Sequence, residues 1–223
     1  MQAGVRLPRR PPRRNVYLTA EQLQRLAAES GRYRSLVLLL GVGGLRWGEA
    51  AALRVCDIDF LRRRVELHRN VVDVNGTMFV GTLKTNKNRA VALPPFVNDA
   101  LAQTAEGKER DELLWPSRTG GYRGPPSSPD SWLAGAVRRC QSQDKSFPRV
   151  TAHDLRHTAA SLAISAGANP KVVQRMLGHA SAAMTLDVYA DLFESDLDKV
   201  AVTVAKMWPR EQETNTRSAP ETL

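Results

Sequence analysis

Residues 151–192 read TAHDLRHTAASLAISAGANPKVVQRMLGHASAAMTLDVYADL, and this stretch decides the fold. Thr151 followed by Asp154 is a capping-box start, in which hydroxyl and carboxylate close on backbone N–H groups that a helix leaves free. Leu155, Leu162 and Ile164 carry that helix inward, and Gly167-Ala168-Asn169-Pro170 breaks it. Asn169 as N-cap with Pro170 at the first helical position opens a second helix. Its apolar residues Val172, Val173, Met176 and Leu177 face a core, and Gly178 ends it, so His179 leaves a helix end. Ser181 caps a third, short helix that presents Tyr189. A last helix is expected from Leu192 to Met207, with Leu197, Val200, Val204 and Met207 at spacings of three or four.

Upstream, Thr19 with Gln22 is another capping box, and Leu23, Leu26 and Ala27 follow at helical spacing. Tyr33 to Val42 is apolar enough for a buried helix. Gly43-Gly44 ends it, placing Arg46 in a sharp turn before a helix that begins near Trp47. The period then changes to two: residues 57–60, 64–67, 78–80 and 89–93 alternate between polar and apolar, with Asn75-Gly76 as a turn. These predict a small antiparallel sheet. After Pro94-Pro95 the chain reads as mainly helical, interrupted by the Gly-, Pro- and Ser-rich residues 116–129. The expected class is α+β, mainly α-helical, with the sheet at one edge.

A chain of 223 residues with 42% hydrophobic content and no long apolar run can bury a real core. The pattern divides it into an arm (1–15), one domain (16–207) and a polar tail expected to be disordered (208–223). The net charge is +9, of which Met1–Arg14 supplies +5 and residues 207–223 supply −1, leaving +5 on the body. Such a balance favours a polyanionic partner, bound partly through counterion release. Proline among arginines makes the arm extended, and Arg6, Arg9, Arg10, Arg13 and Arg14 are its candidate nucleic-acid contacts. Cys56 and Cys140 have no metal-type spacing, and nothing resembles a signal peptide or a membrane span. A reducing cytosol is the expected compartment.

A phosphate with two non-bridging oxygens is best held by planar, permanently charged guanidinium forks, and Arg46 and Arg156 offer two. His153 and Arg156, three apart on a helix, point to one side. His153 and His157, four apart, also have the spacing of helical zinc ligands, but the glutamate of H-E-x-x-H is replaced by Asp154 and no cysteine is near. An isolated tyrosine is ordinarily packing with a wet hydroxyl.

The segments GLRWGE (44–49), HDLRHT (153–158), LGH (177–179) and LDVYADL (186–192) together resemble the catalytic domain of the tyrosine recombinases, the phage integrase family, over roughly Tyr17 to Met207. The resemblance implies a fold of the DNA breaking-rejoining type and a site-specific recombinase. Tyr189 would attack the scissile phosphate, giving a 3′-phosphotyrosine and a free 5′-hydroxyl, with no metal, ATP or other cofactor. Arg46 and Arg156 would neutralise the phosphate and its transition state. His153 would be the general base for Tyr189 or a proton-holding phosphate ligand, with His157 structural. His179 would donate to a non-bridging oxygen, Lys84 would be the general acid, Lys87 its competitor and a DNA contact, and Glu49 an acidic brace.

As partners the resemblance implies double-stranded DNA, three further copies in a homotetramer docked through the C-terminal helix, and an accessory DNA-bending or directionality factor. It also implies a bacterial or phage protein of the cytoplasm and nucleoid, handling prophage or transposon DNA. The helical core-binding domain that family members carry ahead of this point is expected to be absent. Two other readings share the motifs: a topoisomerase-like enzyme that relaxes rather than recombines, and a DNA-binding module without catalysis.

Overall fold

The computed structural model describes residues 15–82, 89–194 and 197–207. Its centre is α2 (Arg34–Gly43), in which Leu36, Val37, Leu38, Leu39 and Leu40 are all buried. A helix apolar all round must be covered on every side. Here α1 (Ala20–Glu29), α4 (Pro95–Ala105) and α6 (Ala152–Ser165) pack on it, and α5 (Trp132–Gln143) packs on α1. The capping boxes expected at Thr19 and Thr151 are both made: Gln22 N–H donates to Thr19 Oγ1 at 3.2 Å and Asp154 N–H to Thr151 Oγ1 at 3.3 Å. α7 (Pro170–Leu177) starts at Asn169 and ends at Gly178, whose φ of +65° is the left-handed cap conformation.

The strands fall into two sheets rather than one. β1 (Ile58–Asp59), β2 (Arg64–Leu67) and β5 (Arg89–Ala92) form an antiparallel sheet in that order, with Val65 opposite Val91. Val65, Leu67 and Val91 turn inward onto the core. β3 (Arg69–Val74) and β4 (Thr77–Thr82) form a separate hairpin closed by Asn75-Gly76, both at positive φ. The sequence reading has no strand at 69–74, because Val71 alone of β3 is buried and an alternating burial pattern never develops.

The hairpin reaches the body through α3 (Trp47–Ala51), where β3 runs against Gly48. A Cβ at residue 48 would overlap the Val71 carbonyl oxygen and Asn70 Oδ1, so only glycine lets the strand come this close. Gly48→Ala is therefore expected to destabilise the protein by about 2 kcal/mol or more, since backbone cannot step aside as a flexible side chain can. Urea unfolding followed by circular dichroism measures it, and an unchanged midpoint would refute the close approach.

α8 (Ala182–Glu194) and α9 (Leu197–Met207) close the chain. The helix expected from Leu192 starts instead at Leu197. Leu192 belongs to α8 because it packs with Tyr189, Ile164, Val173 and Leu177 in a second, smaller apolar cluster. Residues 201–207 of α9 are exposed, including Val202, Val204 and Met207. No helix among the described residues is long and apolar enough to cross a membrane.

Candidate active site

The site forms where the C-terminal ends of α2 and α7 meet beside α6. The last carbonyls of a helix lack internal partners and carry its negative partial charge, so they attract cations. Arg156, 4% exposed, answers both: Nη1 donates to Gly44 O and Nη2 to Leu177 O, the latter at 2.8 Å. Arg46 donates from Nη2 to Gly178 O at 3.1 Å. Two guanidiniums therefore meet at the end of α7, and one of them, Arg156, also closes the end of α2.

Glu49 sits beneath them, 1% exposed, at the third position of α3. It accepts from the Arg46 backbone N–H at 2.7 Å and from Arg46 Nη1 at 3.0 Å. Arg89 completes the set with a fork, Nη1 to Oε1 at 2.7 Å and Nη2 to Oε2 at 2.8 Å. Burial pushes the Glu49 carboxyl up, but the Arg89 and Arg46 contacts outweigh it and hold it below its ordinary value. Arg156 is drawn down to about 10 by burial and by the Arg46 and Arg89 charges, against the pull of Glu49, and stays charged at neutral pH. Around one carboxylate stand three guanidiniums, a net excess of two positive charges.

Tyr189 closes the site from α8. Its ring is 2% exposed and its hydroxyl lies 2.8 Å from His157 Nδ1. Burial raises the phenol to about 12, with the Arg156 charge pulling the other way, so it is protonated at neutral pH. His153 is exposed, with its ring 4.6 Å from that of His157 and edge-on to it. The contact with Tyr189 that the sequence reading gives to His153 is thus made by His157, one helical turn further on and 8% exposed. Burial and the neighbouring His153 and Arg156 depress His157, against Asp154. Its spacing of four from His153 was the available signal.

His179 follows the Gly178 turn, its ring stacked 6.4 Å from that of Tyr189 and its Nδ1 3.0 Å from Thr185 Oγ1. Burial and then Arg156, Arg46 and Arg89 push it down from 6.5 to about 4. A histidine kept neutral by folding binds fewer protons than its unfolded counterpart, so stability falls as pH drops through that window. The fall between pH 6.5 and about 4 should be shallower in His179→Gln, as urea midpoints against pH will show. Identical slopes would mean that this ring titrates as it does in the unfolded chain.

Arg46, Glu49, His153, Arg156, His179 and Tyr189 are thus one cluster, to which Arg89 and His157 are added. Arg89 was missed, although its place on the inward face of the strand with Val91 and Leu93 signals a buried acidic partner. Arg46, Trp47 and Arg89 line one cleft, while Trp47 and His153 line a second with Arg138 and Arg149. Among the described residues no three His, Cys, Asp or Glu side chains group as metal ligands. Lys84, Lys87 and the arm residues Arg6, Arg9, Arg10, Arg13 and Arg14 lie outside the described residues.

Residues 16–195 match the sequence model of the phage integrase family. A transposase from transposon Tn916 of Enterococcus faecalis is 31% identical over 193 residues, covering 78% of this chain and 47% of that protein. The chain spans about half the length of the curated relatives it matches. Among solved structures, the Tn1549 transposon integrase in complex with circular intermediate DNA superposes with a TM-score of 0.73 at 20% identity, over 88% of this chain and 68% of that one. The catalytic domain of bacteriophage HP1 integrase gives 0.55 at 23% identity, over 89% of this chain and 100% of that one. Both share the fold.

Proposed function

The chain belongs to the phage integrase family, and from that premise we propose that it is the catalytic domain of a site-specific tyrosine recombinase that cuts and rejoins DNA through a phosphotyrosine bond. The domain would run from 16 to 207, with the basic arm before it adding sequence-independent phosphate contacts. One observation carries the reading: three guanidiniums gather at one site around a single carboxylate, which only Arg46 and Arg89 bond, while the phenol of Tyr189 stands within reach of the Arg156 charge. Two unmatched positive charges suit a phosphodiester that gains negative charge as it becomes pentacoordinate.

In the forward step the Tyr189 oxygen bonds to phosphorus and the bond to the 5′-oxygen breaks. The phenolic proton passes to His157, whose Nδ1 already faces it. The departing 5′-oxygen takes a proton from Lys84, with Lys87 as the competing donor. Arg46 and Arg156 hold the non-bridging oxygens, and His153, exposed in the first turn of α6, holds the phosphate from the solvent side. His179 donates as a neutral imidazole: with Nδ1 accepting from Thr185, Nε2–H is left for an oxygen. Attack by the 5′-hydroxyl on the tyrosyl ester reverses every bond change and seals the strand. The exposed apolar residues Val202, Val204 and Met207 support α9 as the contact between copies in a tetramer.

The test is a covalent adduct. A nicked suicide duplex, carrying a site selected from a random-sequence pool with this protein, should be retained on it after denaturation, in EDTA as well as in magnesium. Absence of an adduct on every selected duplex would refute strand transfer, and an adduct lost in EDTA would refute the metal-free mechanism.

A further inference from the structure

We infer that Arg89 is a positioning residue that matches the buried charge of Glu49 so that Arg46 keeps its own charge for the phosphate. The inference rests on the strand-transfer reading above. The four donors on Glu49 divide unequally between the two arginines. Arg89 meets both oxygens in a fork, at 2.7 and 2.8 Å, and its side chain is 15% exposed. Arg46 gives the carboxylate one side-chain nitrogen, at 3.0 Å, turns the other to Gly178 O, and stays 47% exposed. A two-bond fork is the stronger pairing, and burial strengthens it further. The single negative charge is therefore spent on the buried arginine, and the exposed one faces the cleft as a net cation.

Without Arg89 the same carboxylate would be left to Arg46. A buried carboxylate short of one partner recruits whatever cation is near, because leaving it unmatched is costly. Arg46 would sink toward Glu49 and become half of a neutral pair. Two further contacts tie Arg89 to the rest of the site. Its guanidinium lies against the Cα of Gly178, where any Cβ would overlap it, and so braces the turn that delivers His179. Its backbone is the first paired residue of β5, opposite Leu67, directly after the segment that carries Lys84 and Lys87.

The test compares wild type, Arg89→Met, Arg89→Lys and Arg89→Met/Glu49→Gln in single-turnover adduct formation on the selected nicked duplex, with duplex affinity and melting temperature measured alongside. Arg89→Met should slow cleavage by about 10²-fold, the scale of losing one charge-stabilising group, with little change in duplex affinity. Adding Glu49→Gln removes the stranded charge and should return most of that rate. Arg89→Lys keeps the charge without the fork and should be slower by about tenfold; it carries the test if Arg89→Met does not fold. A double variant no faster than Arg89→Met, or an Arg89→Lys as fast as wild type, overturns the inference. Variants that melt earlier yet cleave at the parent rate also overturn it, since Arg89 would then be a structural brace alone. A wild-type protein that forms no adduct is a different result, and sinks the strand-transfer reading itself.

Discussion

Tyr189→Phe is expected to abolish the covalent protein–DNA adduct while leaving the fold intact. The ring fills an apolar cluster with Ile164, Val173 and Leu177, and phenylalanine keeps all of that packing. Only the hydroxyl and its 2.8 Å contact with His157 go, a loss of about 1 kcal/mol for a single neutral hydrogen bond. The chemistry has no such margin, because the attacking oxygen is itself removed. The phenol, held at about 12, cannot ionise by itself near neutrality, so its proton must be taken during attack. If His157 takes it, the rate falls as His157 is protonated. That acid limb lies below pH 6.5, because the folded environment depresses the ring. His157→Ala should slow adduct formation by about 10²-fold or more. An adduct that survives Tyr189→Phe would move the nucleophile elsewhere. A His157 variant as fast as the parent would return the base role to His153.

What the sequence made plain was local. Thr19, Thr151 and Asn169 start helices, and Gly44 and Gly178 end them, through contacts spanning a few residues that any reader of the chain can lay out. The candidate site was readable where a short motif brought its own geometry, as with His153 and Arg156 on one helical turn. Arg89 was not, because its partner Glu49 is forty positions away in the chain and only the folded sheet edge brings the two together. His157 was hidden for a different reason. Every residue from Asp154 to Ala160 is buried, so α6 has no polar face to say which side meets Tyr189. The boundary between α8 and α9 was misplaced because Phe193, beside Leu192, stands four before Leu197 and continues its apolar spacing, and only the packing of Leu192 against the Tyr189 cluster marks it as part of α8.

Arg156→Ala should harm both stability and rate, and the two effects come from the same guanidinium. In the folded protein its η nitrogens satisfy Gly44 O and Leu177 O inside the core. Truncation leaves both carbonyls buried without a donor and opens a cavity, a loss of about 3 kcal/mol or more at 1–3 kcal/mol per unsatisfied group. The expected rate loss, about 10³-fold, comes from missing charge in the transition state. A substrate whose bridging 5′-oxygen is replaced by sulfur separates this from proton donation, since a thiolate leaves without being protonated. Arg156→Ala should be slow on the normal ester and the thio-ester alike. Lys84→Ala should be slow on the normal ester and close to the parent on the thio-ester; recovery of Lys87→Ala instead would give the acid role to Lys87. Recovery of Arg156→Ala on sulfur would contradict the charge-stabilising role, because a better leaving group does nothing for the oxygens that Arg156 is proposed to hold.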